Sequence, residues 1–143
     1  MSCDIADRDR VLAVCHDDNR VTYSFGRPGQ PPELTLSEPV RTVAYHPWSG
    51  VGREIAEGVD FQNGAYAYRT YAGFQKLLEG ESDDDGVERS FGGVRVLRDG
   101  QEIASLVCDP VSVVYGYSSR IYDIKQALGL QWDDRSRAWV ESN

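Results

Sequence analysis

Apolar and polar residues alternate along most of this chain with a period of two, the spacing of strands that bury one face. In VTYSF, Val21, Tyr23 and Phe25 alternate with Thr22 and Ser24. ELTLS repeats the pattern with Leu34 and Leu36, and VRTVAY carries Val43 and Tyr45. VLAVC, residues 11–15, is a short apolar run of strand length. GRPGQPP, residues 26–32, breaks the pattern, because Gly and Pro free or fix the backbone at turn angles.

Two hairpins are signalled by their turns. VDFQNGAYAYRTY sets Asn63-Gly64 between two alternating runs, and VRVLRDGQEIASLVC does the same with Asp99-Gly100. Both central positions of a type I′ turn need positive φ, which Asn, Asp and Gly tolerate best. Val59 and Phe61 then share one face, and Tyr66 and Tyr68 share one face of the returning strand.

The period changes only near the end. RIYDIKQALGL places Ile121, Ile124 and Leu128 on one helical face, with Gly129 as the stop. LQWDDRSRAWV follows as a last strand or an extended tail whose Trp132 and Trp139 cap the core. The pattern predicts a mainly β fold: an antiparallel curled sheet or small β-barrel built from hairpins, with one short C-terminal helix. Residues 1–10 read as a flexible N-terminal segment, and 11–143 as a single β-rich domain.

Composition sharpens this picture. The chain has 143 residues, of which 41% are hydrophobic, enough for one core. Fifteen aromatic residues (eight Tyr, four Phe, three Trp) argue against a disordered chain. No apolar run approaches the ~20 residues of a spanning helix, so no integral membrane segment is expected. A net charge of −8 and a pI of about 4.7 disfavour nucleic acid, whose phosphates call for surplus cations. The same charge suits a basic protein partner, or serves only to keep the protein in solution.

The three cysteines bear on compartment. Cys15 ends the VLAVC strand and Cys108 ends IASLVC, so the pair is placed for a disulfide, with two buried thiols as the other reading. A bond closing so long a loop contributes about 4–5 kcal/mol in the chain-entropy model. Cys3 is left over as a candidate lipid-attachment residue of an envelope lipoprotein whose signal peptide is absent.

Catalytic patterns are poor. The histidines are His16 and His46 alone, and Ser49 lacks the first glycine of a nucleophile elbow. CHDD at 15–18 supplies too few ligands for a zinc site. The acidic stretch 79–85 would begin a calcium loop with Glu81, but its closing ligand would fall on Gly92. No catalytic residue, metal or cofactor is expected. An enzyme would instead show ionisable residues clustered in a pocket, and histidines far from every cleft would argue against one.

What remains is binding. AYHPWSGVGREI, residues 44–55, interrupts the alternation with an aromatic, a hydroxyl, two glycines and a guanidinium beside a carboxylate. These residue types are enriched at interface hot spots and their adaptable surroundings. The candidate partner-binding residues are Tyr45, His46, Trp48, Ser49, Gly50, Val51, Gly52, Arg53 and Glu54. As a binding loop the stretch would hold Trp48 out into solvent as an anchor; the other reading, which composition alone favours, is an ordinary strand connection with Trp48 folded back onto the core.

VTYSFGRPGQPPELTLS, AYHPWSGVGREI, FQNGAYAYRTY, GVRVLRDGQEIASLVC and RIYDIKQALGL, in that order and with paired cysteines, resemble the bacterial periplasmic and membrane-bound inhibitors of c-type lysozyme. The resemblance implies a small antiparallel barrel or curled sheet whose Ser-Gly loop enters a lysozyme cleft. The serine maps to Ser49 and the assisting cation to Arg53; Arg53 also stands where the family places a tyrosine. That departure suits immunity proteins against peptidoglycan-cleaving muramidases injected by type VI secretion. The resemblance thus implies a periplasmic, non-enzymatic protein that occludes a glycoside hydrolase through residues 46–54, with Trp48 or Tyr45 filling a sugar subsite. An envelope lipoprotein holding a small ligand among Phe61, Tyr66 and Tyr68 is the other reading.

Overall fold

A computed structural model describes residues 1–76, 80, 89–115 and 118–143. The acidic stretch 79–85 therefore lies, Gly80 apart, outside the described residues. The described chain forms eleven strands and one α-helix. A four-stranded antiparallel sheet runs β1 (Ser2–Asp4), β2 (Val11–His16), β3 (Arg20–Gly26), β4 (Leu34–Pro39). A five-stranded antiparallel sheet runs β5 (Ala44–His46), β6 (Glu54–Asn63), β7 (Tyr66–Gln75), β8 (Ser90–Arg98), β9 (Gln101–Val107). Helix α1 (Ser118–Ala127) leads into a small hairpin of β10 (Leu130–Asp133) and β11 (Ala138–Glu141). The fold is mainly β, antiparallel and curled, and its sheets do not close into a barrel.

The alternating residues make the core. Leu12, Val14, Val21 and Tyr23 from the first sheet meet Val59, Phe61, Ala72 and Val94 from the second, all buried. The Tyr23 ring lies 5.6 Å from Phe61 and 5.3 Å from Tyr68, so aromatic contacts join the two sheets. Ile121 and Trp139 close one end of the core.

The two hairpin turns differ. Arg98 pairs with Gln101, which leaves Asp99 (φ 50°) and Gly100 (φ 83°) as the central residues. That is a type I′ turn, as the sequence predicts. In the other hairpin Asn63 pairs with Tyr66, so the central residues are Gly64 and Ala65. Only Gly64 (φ 61°) is left-handed there, the pattern of a type II′ turn. The glycine takes the first central position, and Asn63 stays in the ladder.

The N-terminus corrects two expectations. Residues 2–4 are not a flexible segment but strand β1, with Cys3 opposite Leu12 and Met1 buried in the core. Cys3, not Cys15, is bonded to Cys108, whereas Cys15 is free and exposed. The reason is parity. Leu12 and Val14 point inward, so Cys15 on the same strand must point outward. Cys3 shares Leu12's inward face, where Cys108 is also buried. With its sulfur in a disulfide, Cys3 is no lipid-attachment site. The bond ties β1 to the segment after β9, a junction reinforced by bridges from Ile5 to Cys108 and from Ser2 to Val114.

Helix α1 ends as expected, with Gly129 left-handed (φ 84°) just past its last turn. Its buried face differs from the reading. Ile121 is buried and Ile124 half-buried, but Leu128 is exposed and Lys125 takes the inward position. Among the described residues no helix is long and apolar enough to cross a membrane.

Candidate functional site: the 46–54 loop and the cleft beside it

The loop leaves β5 at His46 and returns to β6 at Glu54. It borders a cleft of about 580 Å³ lined by His46, Trp48, Ser49, Val51, Arg53, Glu54, Tyr71 and Arg137, among others. A second depression of about 480 Å³ continues across the outer face of the five-stranded sheet, past Asp60, Arg69, Phe91 and Arg95. Together they form a trough with the loop as one wall.

The floor is low because its residues are small. Ala56 and Gly58 face out of β6 into both depressions, and beside them Tyr71 lies over Gly93, its partner on β8. The Tyr71 ring covers Gly93 so closely that a Cβ there would meet its hydroxyl at 2.7 Å and come closer still to the Leu106 carbonyl. Arg95 in turn sits 5.5 Å over the Tyr71 ring, a cation–π contact. An alanine at position 93 would lift the ring and disturb the floor.

The loop divides into an anchored part and a protruding part. Trp48 is half-buried, its indole N–H is hidden with no hydrogen-bond partner among the described residues, and the Lys76 ammonium lies 4.4 Å over its ring. The expectation of an outward-held indole is thus overturned. A large apolar ring beside a sheet gains more by lying against it than by facing water. Residues 49–54 are exposed, and Val51 is 73% exposed. Exposure of that degree on an aliphatic side chain at a loop tip draws attention to contact with a partner. Gly50 (φ 84°) and Gly52 (φ 93°) hold the tip in left-handed conformations that other residues reach only with strain.

The base of the loop is well tied. The Arg53 carbonyl accepts from the Lys76 N–H at 2.9 Å, and the Arg53 guanidinium donates to the Lys76 carbonyl at 3.3 Å. Tyr45 is buried, donating its hydroxyl to Glu57 at 2.7 Å, so it is a core residue rather than a contact residue. Burial pushes the Glu57 carboxyl above the usual range, while hydrogen bonds from Tyr45 and Tyr115 oppose the shift.

His46 borders the cleft. Its Nε2 lies 3.1 Å from Asp60 Oδ2, and Arg69 Nε lies 3.6 Å from the same oxygen. Ser49 does not join this pair: its hydroxyl donates to the Val51 carbonyl at 3.4 Å. On the trough wall Asp60 therefore takes a hydrogen-bonding contact from His46 and an ion pair from Arg69, with no nucleophile attached among the described residues. No group of three or more His, Cys, Asp or Glu able to hold a metal is found among the described residues.

Ser49, Val51, Arg53 and Glu54, all singled out by the sequence, line one cleft with His46: Ser49 and Val51 stand on the exposed tip, Arg53 and Glu54 at its tied base. Asp60, Arg69, Tyr71, Phe91 and Arg95 were missed. These are the outward-facing complement of the same alternating pattern, so the second face of VDFQNGAYAYRTY and GVRVLR carried their signal.

No family model, curated protein or solved structure matches the chain.

Proposed function

We propose that this protein is a non-enzymatic binding module of an extracytoplasmic compartment, the periplasm. It docks the 46–54 loop into the active-site cleft of a peptidoglycan-cleaving glycoside hydrolase of the lysozyme or type VI effector muramidase class. The disulfide is compatible with an oxidising compartment. The observation that carries the reading is the division of the loop. Its root is fixed by Trp48, Tyr45 and the Arg53–Lys76 bonds, while Val51 protrudes 73% exposed at the tip.

A tip held in one shape by its root loses little conformational entropy on docking. Val51 fills an apolar sugar subsite, a role the resemblance assigned to Trp48 or Tyr45. Exchanging its weak bond to Val51, the Ser49 hydroxyl donates to a catalytic carboxylate, and backbone N–H groups of the tip do the same. The net charge of −8 speeds encounter with a basic hydrolase, a rate effect that salt suppresses.

The reading is tested by surface plasmon resonance against immobilised c-type, g-type and phage-type muramidases, with chitotriose as competitor. Binding to at least one, displaced by chitotriose and slowed by salt, supports it. Binding to none, or binding indifferent to chitotriose, overturns it.

A further inference from the structure

Helix α1 carries a lysine where its pattern asks for an apolar residue. Lys125 lies one turn beyond Ile121 on the same buried face and is 1% exposed. Its ammonium has one hydrogen-bond acceptor among the described residues, the Arg41 carbonyl at 3.1 Å. The Trp139 ring lies 5.4 Å away, and no carboxylate among the described residues pairs with the lysine. An ammonium has three donors, so most of this one's capacity is unspent. A buried, unpaired charge is costly, and proteins seldom keep one without use.

Lys125 lines a cavity of about 350 Å³ between β5, α1 and the β10–β11 hairpin. The cavity adjoins the cleft at His46 and Arg137, but the trough floor of Ala56, Gly58 and Tyr71 takes no part in it. Arg41 lines it too, with aromatic walls from Tyr45, Trp132 and Trp139. None of the described residues lining it is Asp or Glu, in a chain of net charge −8. Arg41 is partly matched by Glu141, with which it pairs outside the cavity, and it also donates to the Leu128 carbonyl at 2.8 Å. Arg137 has no carboxylate partner among the described residues. It adopts φ 57°, and its guanidinium lies 5.9 Å over the Trp132 ring. That left-handed conformation is uncommon for arginine, and such backbone concentrates at binding sites.

We propose that this cavity binds a small organic carboxylate with a flat apolar body, the carboxylate meeting Lys125 and Arg137 and the body lying between the aromatic walls. Three cations with no acid among the described lining residues select an anion, and aromatic walls reject a bare, strongly hydrated one. A volume near the lower end of ligand pockets limits the body to about one or two rings. Burial depresses the Lys125 amine to about 8, with Arg41 adding to the effect. The group is therefore mostly charged at neutral pH and gains from an anion's arrival. Two sources share this chemistry, a free metabolite and a peptide's C-terminal aromatic residue, and the probes below separate them.

The test is a fluorescence titration of the intact protein, read through Trp132 and Trp139, with indole-3-acetate, phenylacetate and N-acetyl-phenylalanine. Each is paired with its neutral amide, and inorganic phosphate is run alongside. Carboxylates are expected to bind at least about tenfold more tightly than their amides, the ratio a charge-assisted bond supports. Tighter binding of N-acetyl-phenylalanine marks a peptide C-terminus as the source, and tighter binding of the other two marks a free metabolite. Lys125→Met and Arg137→Gln should each weaken carboxylate binding about tenfold, with the fold checked by thermal melting. Equal binding of acids and amides, equal binding of phosphate, no binding of any acid at millimolar concentration, or full affinity in Lys125→Met overturns the proposal. Arg137 is exposed, so its variant decides the matter if Lys125→Met alters packing.

Discussion

Cys3 stands directly across the ladder from Leu12, and that register carries its sulfur to the inward face where Cys108 lies. A disulfide between residues 105 apart removes much of the unfolded chain's freedom. Cys108→Ser is expected to lower stability by about 4–5 kcal/mol in the chain-entropy limit. Cys15→Ser should change it by less than ~0.5 kcal/mol, since that thiol is exposed and free. Denaturant unfolding, with and without reductant, checks both values.

The buried cation makes stability depend on pH in a definite direction. Lys125 has a folded-state pKa of about 8 against 10.5 when unfolded, so between those values the unfolded chain binds more protons. Its contribution to stability therefore rises as pH climbs from about 8 to about 10.5 and is least favourable below that window. Lys125→Met should be more stable than the parent at neutral pH, by up to about 3 kcal/mol, and should lose this alkaline rise. Melting curves across that range decide it.

Glu57 behaves in the mirrored sense. Its carboxyl is raised by burial, so the folded state holds its proton more tightly than the unfolded chain. Stability then falls as pH rises through the window just above the usual carboxylate value. Glu57→Gln keeps an acceptor for the Tyr45 hydroxyl while removing the half-buried charge. It should raise the melting temperature at neutral pH by a few degrees at most, with the gain vanishing once the parent's own carboxyl is protonated in acid. An unchanged melting temperature at both pH values would contradict this.

Much of the fold was legible because burial and alternation are the same fact viewed twice. Val21, Tyr23, Val59 and Phe61 each sit inward, as a period of two demands. Pairing was less legible. Parity along β2 already excluded Cys15 from the core face, but β1 is three residues long and too brief to show a period. Lys125 was hidden by its chemistry, since an amphipathic pattern counts a lysine as outward. At the candidate site, the residues of the exposed tip were visible as a break in the alternation. Trp48 was left open because composition cannot tell a ring held out to a partner from one folded back, and its half-buried indole decides for the second.

The inter-sheet aromatic cluster gives the fold its most exposed point of failure. Phe61 is a fully buried ring in contact with Tyr23. Phe61→Ala should cost about 3–5 kcal/mol, seen as a lower midpoint in chemical denaturation. A loss under ~1 kcal/mol would mean that the two sheets are not joined through these rings.

The tip geometry predicts a functional cost without a folding cost. Gly50→Ala forces a side chain into a left-handed conformation. Local strain on the order of 1 kcal/mol should alter the tip while leaving the core intact. Binding to the proposed hydrolase target should weaken, with the melting temperature little changed.

The most direct measurement is inhibition of peptidoglycan clearing by a bound muramidase, titrated with the parent protein and with Val51→Asp. Stoichiometric inhibition by the parent, weakened about thirtyfold or more in the variant, is the predicted result for a protruding apolar anchor. Clearing that continues unchanged with excess parent protein, or equal inhibition by Val51→Asp, would contradict the placement of this loop in the hydrolase cleft.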